Sequence, residues 1–126
     1  MSEPLTPVAI EAKLRTLVND LALSQTELAR ARDAEVDAKH TFEAAHRRAM
    51  LSKDCPKVTR GGWTTAERDA WVDDQAAEQE RAYDIAVARR EAAADHLRTL
   101  RDQAMLVMAL GKSVQASYSL AGIGER

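Results

Sequence analysis

The stretch that decides the fold is KDCPKVTRGGWTT, Lys53 to Thr65, because it separates two long segments that both carry a helical pattern. Pro56 has no backbone N–H donor and disfavours the α region in the residue before it, so a helix should end ahead of it. Gly61 and Gly62 permit the positive φ values that a chain reversal uses. The stretch therefore predicts a turn between two helices.

The helix boundaries follow from capping residues on either side of this turn. Thr64 and Glu67 have the spacing of a capping box, which predicts that a second helix begins at about Thr65. Thr6 is a good N-cap, and Pro7 suits the first helical position because its missing donor would be unpaired there anyway. We predict one helical-hairpin domain over residues 1–126, with helix one at 7–52, the turn at 53–64, helix two at 65–110, and a tail at 111–126 that forms a short third helix or continues past Gly111.

Both long segments carry small or apolar residues in alternating steps of four and three, which is typical of a coiled-coil seam. In the first segment only Ser24 and Glu35 break the pattern. The first seam is Ile10, Leu14, Leu17, Leu21, Ser24, Leu28, Ala31, Glu35, Ala38, Phe42, Ala45 and Ala49, and the second is Val72, Ala76, Gln79, Tyr83, Ala86, Arg90, Ala93, Leu97, Leu100, Ala104 and Val107. The sequence thus predicts an all-α fold, a long antiparallel two-helix coiled-coil hairpin with a short C-terminal helical tail.

A reversal near Val58 also predicts which residues face each other across the hairpin. The expected neighbours are Ile10 with Val107, Leu17 with Leu100, and Phe42 with Val72 or Ala76. Leucines then meet at the open end of the hairpin, and alanines meet along its middle.

The composition and charge of the chain argue against several classes of function. The 126 residues are 45% hydrophobic but only 4% aromatic, and the formal net charge of −2 gives no global attraction to nucleic acid or to anionic lipid. A single cysteine and the lack of a signal peptide or an 18-residue apolar run predict a cytoplasmic protein without a membrane partner. We expect no enzyme activity and no cofactor.

The segment Ala104–Leu110, AMLVMAL, is apolar around the whole helix, so one partner helix cannot cover it. This predicts self-association, with a dimer that forms a four-helix bundle, or a tail that packs back over the open end. The residues expected to mediate self-association are Leu97, Leu100, Met105, Leu106, Met108 and Leu110.

The turn is the other candidate site, because five cations against Asp54 alone give it a local charge of +4 beside an indole. Cations that neutralise phosphates beside an aromatic that stacks on a base are typical of single-stranded nucleic acid binding. The residues concerned are Arg47, Arg48, Lys53, Lys57, Arg60 and Trp63. Alternatively, Trp63 and Trp71 anchor the turn against helix one near Met50 and Leu51, and the cations only solvate it.

Two further patterns have an ordinary interpretation as solvated helix surface. Glu43 with His46, and Asp37 with His40, have the Glu-x-x-His type of spacing by which helical bundles hold two metal ions, with Asp73 and Asp74 as possible bridging ligands. A di-metal bundle is therefore a second alternative function, although we assign no metal ligand. The acidic run of helix two could bind a basic partner; it comprises Glu67, Asp69, Asp73, Asp74, Glu78, Glu80 and Asp84.

Three further segments are distinctive: RGGWTTAERDAW at 60–71, AYDIA at 82–86 and HLRTLRDQA at 96–104. They resemble segments of small Ala-rich helical proteins from the early, replication and recombination gene regions of tailed phages that infect actinobacteria. The resemblance implies a phage accessory protein that acts on a host protein or with DNA-processing machinery, and it carries over no catalytic residue. Together with the patterning, it predicts a non-catalytic helical interaction protein.

Overall fold

Over residues 5–124 the chain forms three helices, α1 (Pro7–Met50), α2 (Thr65–Gln75) and α3 (Ala77–Gly124). The structure, a computed structural model, describes the backbone of residues 5–124 and the side chains of residues 5–121, so the end of the predicted tail and domain lies outside the described residues. Over this range there is no β-strand, and α1 packs against α3. The predicted all-α helical hairpin is confirmed.

The seam positions predicted from the sequence are the positions that the hairpin covers. All twelve in α1, and all eleven between Val72 and Val107, are buried or half-buried. Most side chains between them are exposed, so one narrow stripe of each helix is covered. The alternating steps of four and three therefore identified the packed face of both helices correctly.

The helices fall into two compact units, which we describe separately. The first comprises the chain up to Leu28 and from Ala93 onward, and the second comprises Ala29–Ala92. The core of the first unit is Ile10, Leu17, Leu100 and Val107, with Leu14, Leu21, Ala104 and Val114 packed against it. The four residues of the two predicted leucine-end pairs all belong to this cluster, but the residue whose backbone meets Ile10 is Gly111, one helical turn beyond the predicted partner Val107.

Helix α3 passes through Gly111 without interruption, so the predicted tail is a continuation of the second long helix and not a separate one. A Cβ at position 111 would lie 3.2 Å from Cγ2 of Ile10, a tight contact. The glycine therefore lets α3 approach α1 closely where the two helices pack.

At its start α1 is capped as expected, with the Ala9 N–H donating to the Thr6 hydroxyl at 3.1 Å. It ends at Met50, just before the predicted boundary at residue 52.

In the second unit the predicted capping box at the start of α2 is also present. The Glu67 N–H donates to the Thr64 hydroxyl at 3.1 Å, and the Thr64 N–H donates to the Glu67 carboxylate at 3.4 Å.

The second helix is interrupted, which corrects the prediction of one continuous helix over residues 65–110. Ala76 separates α2 from α3 with φ −102° and ψ 8°, outside the helical region. Its N–H still reaches the Val72 carbonyl at 3.1 Å, and the Glu80 N–H reaches the Ala76 carbonyl at 2.9 Å. The break is confined to one fully buried alanine, and no glycine or proline marks it in the sequence.

The register in the second unit also differs from the prediction. Phe42 stacks on Tyr83, with ring centroids 6.1 Å apart. Tyr83 lies about two helical turns after Ala76 and about three after Val72, the two neighbours predicted for Phe42. The prediction placed the axis of the hairpin at the middle of the turn. In the register set by Phe42 and Tyr83, Gln75 is level with Met50, so most of α2 lies beyond the last residue of α1. Trp71 and Gln75 nevertheless still line a cavity with Ala45 and Ala49 of α1.

Glu35, a charged residue in the apolar seam of α1, forms an ion pair with Arg90 of the α3 seam. Nε of Arg90 donates to one carboxylate oxygen of Glu35 at 2.9 Å, and Nη2 donates to the other at 3.3 Å. This bidentate hydrogen bonding to Arg90 holds the pKa of Glu35 below its usual value and raises the pKa of Arg90. The sequence marked both residues as seam positions but did not pair them, since their register depends on the turn.

Candidate interaction surfaces

The turn presents its cations to solvent. Arg47 and Arg48 occupy the last turn of α1, where positive charge is favourable beside the unpaired carbonyl groups, and Lys53, Lys57 and Arg60 follow in the connection. All five are exposed, and none forms an ion pair with any residue in the described range. The structure thus keeps this set together in one unit as an exposed basic group.

Trp63 lies at the end of this basic connection and is 52% exposed. Gly61, at φ 81°, reverses the chain two residues before Trp63, and an isolated β-bridge joins Val58 to Trp63. Trp71, by contrast, is half-buried and lines a small polar cavity with Ala45 and Ala49 of α1. The two tryptophans therefore differ: Trp71 has the sheltered position expected of an anchor, and Trp63 offers an open indole face.

The open end of the first unit carries the other candidate surface. Of the six residues predicted to mediate self-association, Leu97 and Leu100 are each only 6% exposed, because both pack into the seam of the hairpin itself. They are corrected to core residues, unavailable to a second molecule. The other four, Met105, Leu106, Met108 and Leu110, are exposed, as are Tyr118 and Leu120 further along α3.

A groove runs between α1 and α3 in this unit, with a volume of about 800 Å³. Its apolar lining comes from Ile10 and Leu14 on one side and Met108 on the other, with Gly111 between them. The charged residues Glu11 and Lys112 lie on its two walls. The seam position of Leu14 predicted burial, yet this residue is only half-buried and lines the groove.

The metal-type spacings are not assembled into a site. In the described range no three His, Cys, Asp or Glu side chains come close enough together to hold a metal ion. His46 meets the edge of the Phe42 ring, with centroids 6.3 Å apart, and the register places Asp73 and Asp74 beyond the end of α1. The di-metal alternative therefore has no geometric support, and the acidic run that contains these two residues is exposed throughout.

No protein-family model, curated protein or solved structure matches this chain. Among the described residues, none of the helices combines the length and apolar character that crossing a bilayer requires. Function must therefore be argued from the two surfaces.

Proposed function

We propose that this chain is a non-catalytic helical interaction protein that self-associates through the open end of its hairpin. The observation that carries the proposal is the group of exposed apolar side chains on α3 around Met105–Leu110, of which Leu106 is 66% exposed. Exposed apolar side chains grouped on one segment of a helix mark a candidate site of association. A dimer that forms a four-helix bundle covers part of this surface, which α1 leaves exposed.

Sedimentation equilibrium over a range of protein concentrations tests self-association. We expect wild type to form a dimer, and a variant with Met105, Leu106, Met108 and Leu110 changed to Ser to dissociate more readily. The control changes two exposed apolar residues outside this group, Leu23 and Val36, to Ser, and should associate like wild type. A wild-type chain that stays monomeric at high concentration, or equal association of the two variants, contradicts the proposal.

The resemblance to small helical phage proteins supports a partner among host proteins or DNA-processing proteins, and a cytoplasmic location accords with the single, unpaired cysteine Cys55. Pull-down from the native host should recover such a partner. If the turn mediates the contact, changing Arg47, Lys57, Arg60 and Trp63 to Ala should abolish recovery, and undiminished recovery would exclude the turn.

Single-stranded nucleic acid binding at the turn is a second candidate, favoured by the exposed indole of Trp63 beside five exposed cations that have no acidic partner in the described chain. If all five neutralise phosphates, log K should fall with log salt with a slope of about −3.5. We expect an oligonucleotide to quench the fluorescence of a Trp71→Phe variant, which keeps Trp63, and not that of Trp63→Phe. Absence of quenching at low salt would exclude this candidate.

A further inference from the structure

The groove of the first unit has charges on both walls as well as an apolar lining. Glu11 lies on the α1 wall and Lys112 on the α3 wall. The two are at about the same level, since the backbone at Gly111 closely approaches Ile10. Glu11 contacts Arg15 at 2.7 Å, but both side chains are largely exposed, so this pair is weak. Lys112 has no ion-pair partner in the part of the chain described.

A second copy of the chain can face this groove about a two-fold axis in either of two ways, and the charges distinguish them. An axis along the helices places α1 of one copy over α3 of the other, so that Glu11 meets Lys112 twice. An axis across the helices and centred on the groove places α1 over α1, so that Glu11 meets Glu11 and Lys112 meets Lys112. The first arrangement pairs opposite charges, and the second pairs like charges.

We infer that two copies dock groove to groove about an axis along the helices, with both open ends together and Glu11 of each copy beside Lys112 of the other. This inference rests on the proposed self-association and specifies its face and orientation: of the four exposed apolar residues behind that proposal, Met108 is the one that lines the groove. Leu14 and Met108 of the two copies supply the apolar contact between the charged rims. Every pair of adjacent helices in the resulting bundle is antiparallel, as short-looped bundles require.

The size of the contact predicts a reversible dimer. On α1 the groove runs from Pro7 to Leu14, and a shallow depression that shares Leu14 with it continues to Asn19. Together they cover about 20 Å of helix. Two adjacent helices about 10 Å apart give a footprint of roughly 400 Å² per copy, about half of a standard interface. Association should therefore depend on concentration.

Cross-linking between chains that each carry a single cysteine tests the orientation. In a Cys55→Ser background, one chain carries Glu11→Cys and another carries Lys112→Cys. We expect oxidation of the mixture to give a covalent dimer of the two different chains, and either chain alone to give none. Since the cysteines are on separate chains, no link within one molecule can mimic this result. A Leu23→Cys chain mixed with the Lys112→Cys chain is the control and should not cross-link.

The outcomes separate the orientation from self-association itself. Cross-linking of Glu11→Cys chains with each other, or no mixed product although sedimentation shows a dimer, overturns the orientation and leaves the proposed self-association standing. A monomer by sedimentation overturns both.

Charge reversal gives an independent readout. Glu11→Lys and Lys112→Glu should each raise the dissociation constant about tenfold, since each replaces two attractive contacts with two repulsive ones. The double variant restores opposite charges and should return to within a few-fold of wild type. Single variants without effect, or a double variant as weak as the singles, would contradict the arrangement.

Discussion

Replacing Leu100 by Ala should destabilise the monomeric hairpin strongly, whereas replacing Leu106 by Ala should not. Leu100 is 6% exposed within the cluster that contains Leu17, whereas Leu106, six residues later on the same helix, faces solvent. Truncation of Leu100 removes three buried carbons, worth about 2.4 kcal/mol at about 0.8 kcal/mol each. The cavity that remains brings the expected loss in unfolding free energy to about 3 kcal/mol. Truncation of Leu106 should change it by less than about 0.5 kcal/mol.

Urea unfolding followed by circular dichroism at 222 nm measures this difference. With an m-value of about 1.5 kcal/mol/M, the midpoint for Leu100→Ala should fall by about 2 M and that for Leu106→Ala should hardly move. The measurement belongs at low protein concentration, so that loss of a dimer contact at Leu106 does not contribute. Equal losses for the two variants would refute the seam, because identical chemistry on one helix would then be insensitive to burial.

Three further predictions concern the ion pair, the helix cap and the turn. The contact with Arg90 lowers the pKa of Glu35 below 4.5, so the ion pair contributes its full stability above pH 4.5 and loses it as the pH falls through the lower pKa of the folded state. The Glu35→Gln variant should lack this part of the dependence of unfolding free energy on pH. Parallel pH profiles for wild type and variant would contradict the Glu35–Arg90 ion pair. Thr64→Ala removes the acceptor at the start of α2 and should cost about 1 kcal/mol in urea unfolding, whereas Thr64→Ser should cost little. Gly61→Ala places a side chain at φ 81° where no atom lies within 4 Å, so the expected loss of about 1 kcal/mol in unfolding free energy comes from backbone conformation and not from a clash. The loss should be smaller for Gly61→Asn. Equal stability of wild type and the alanine variant would argue against the positive φ.

The candidate sites were predictable in part. The five cations and Trp63 could be identified because they are close in sequence, and proximity along the chain is enough to bring them into one turn. The predicted self-association set includes Leu97 and Leu100, which are buried in the seam, because apolar composition cannot say which residues α1 covers. Leu100 and Leu106 look alike in the sequence and differ only once the second helix is in place.

By itself the sequence determined which face of each helix is packed and where α1 and α2 begin, because helical periodicity and capping depend on residues a few positions apart. Only the tertiary structure decided how far one helix slides along the other. An alanine-rich seam repeats every seven residues, so a shift of two turns presents nearly the same pattern. The choice among these registers came from contacts distant in sequence, above all the Phe42–Tyr83 stack and the Glu35–Arg90 ion pair. The break at Ala76 and the passage of α3 through Gly111 likewise follow from packing, since what lies against a residue, and not its own propensity, determines whether a helix bends or continues there.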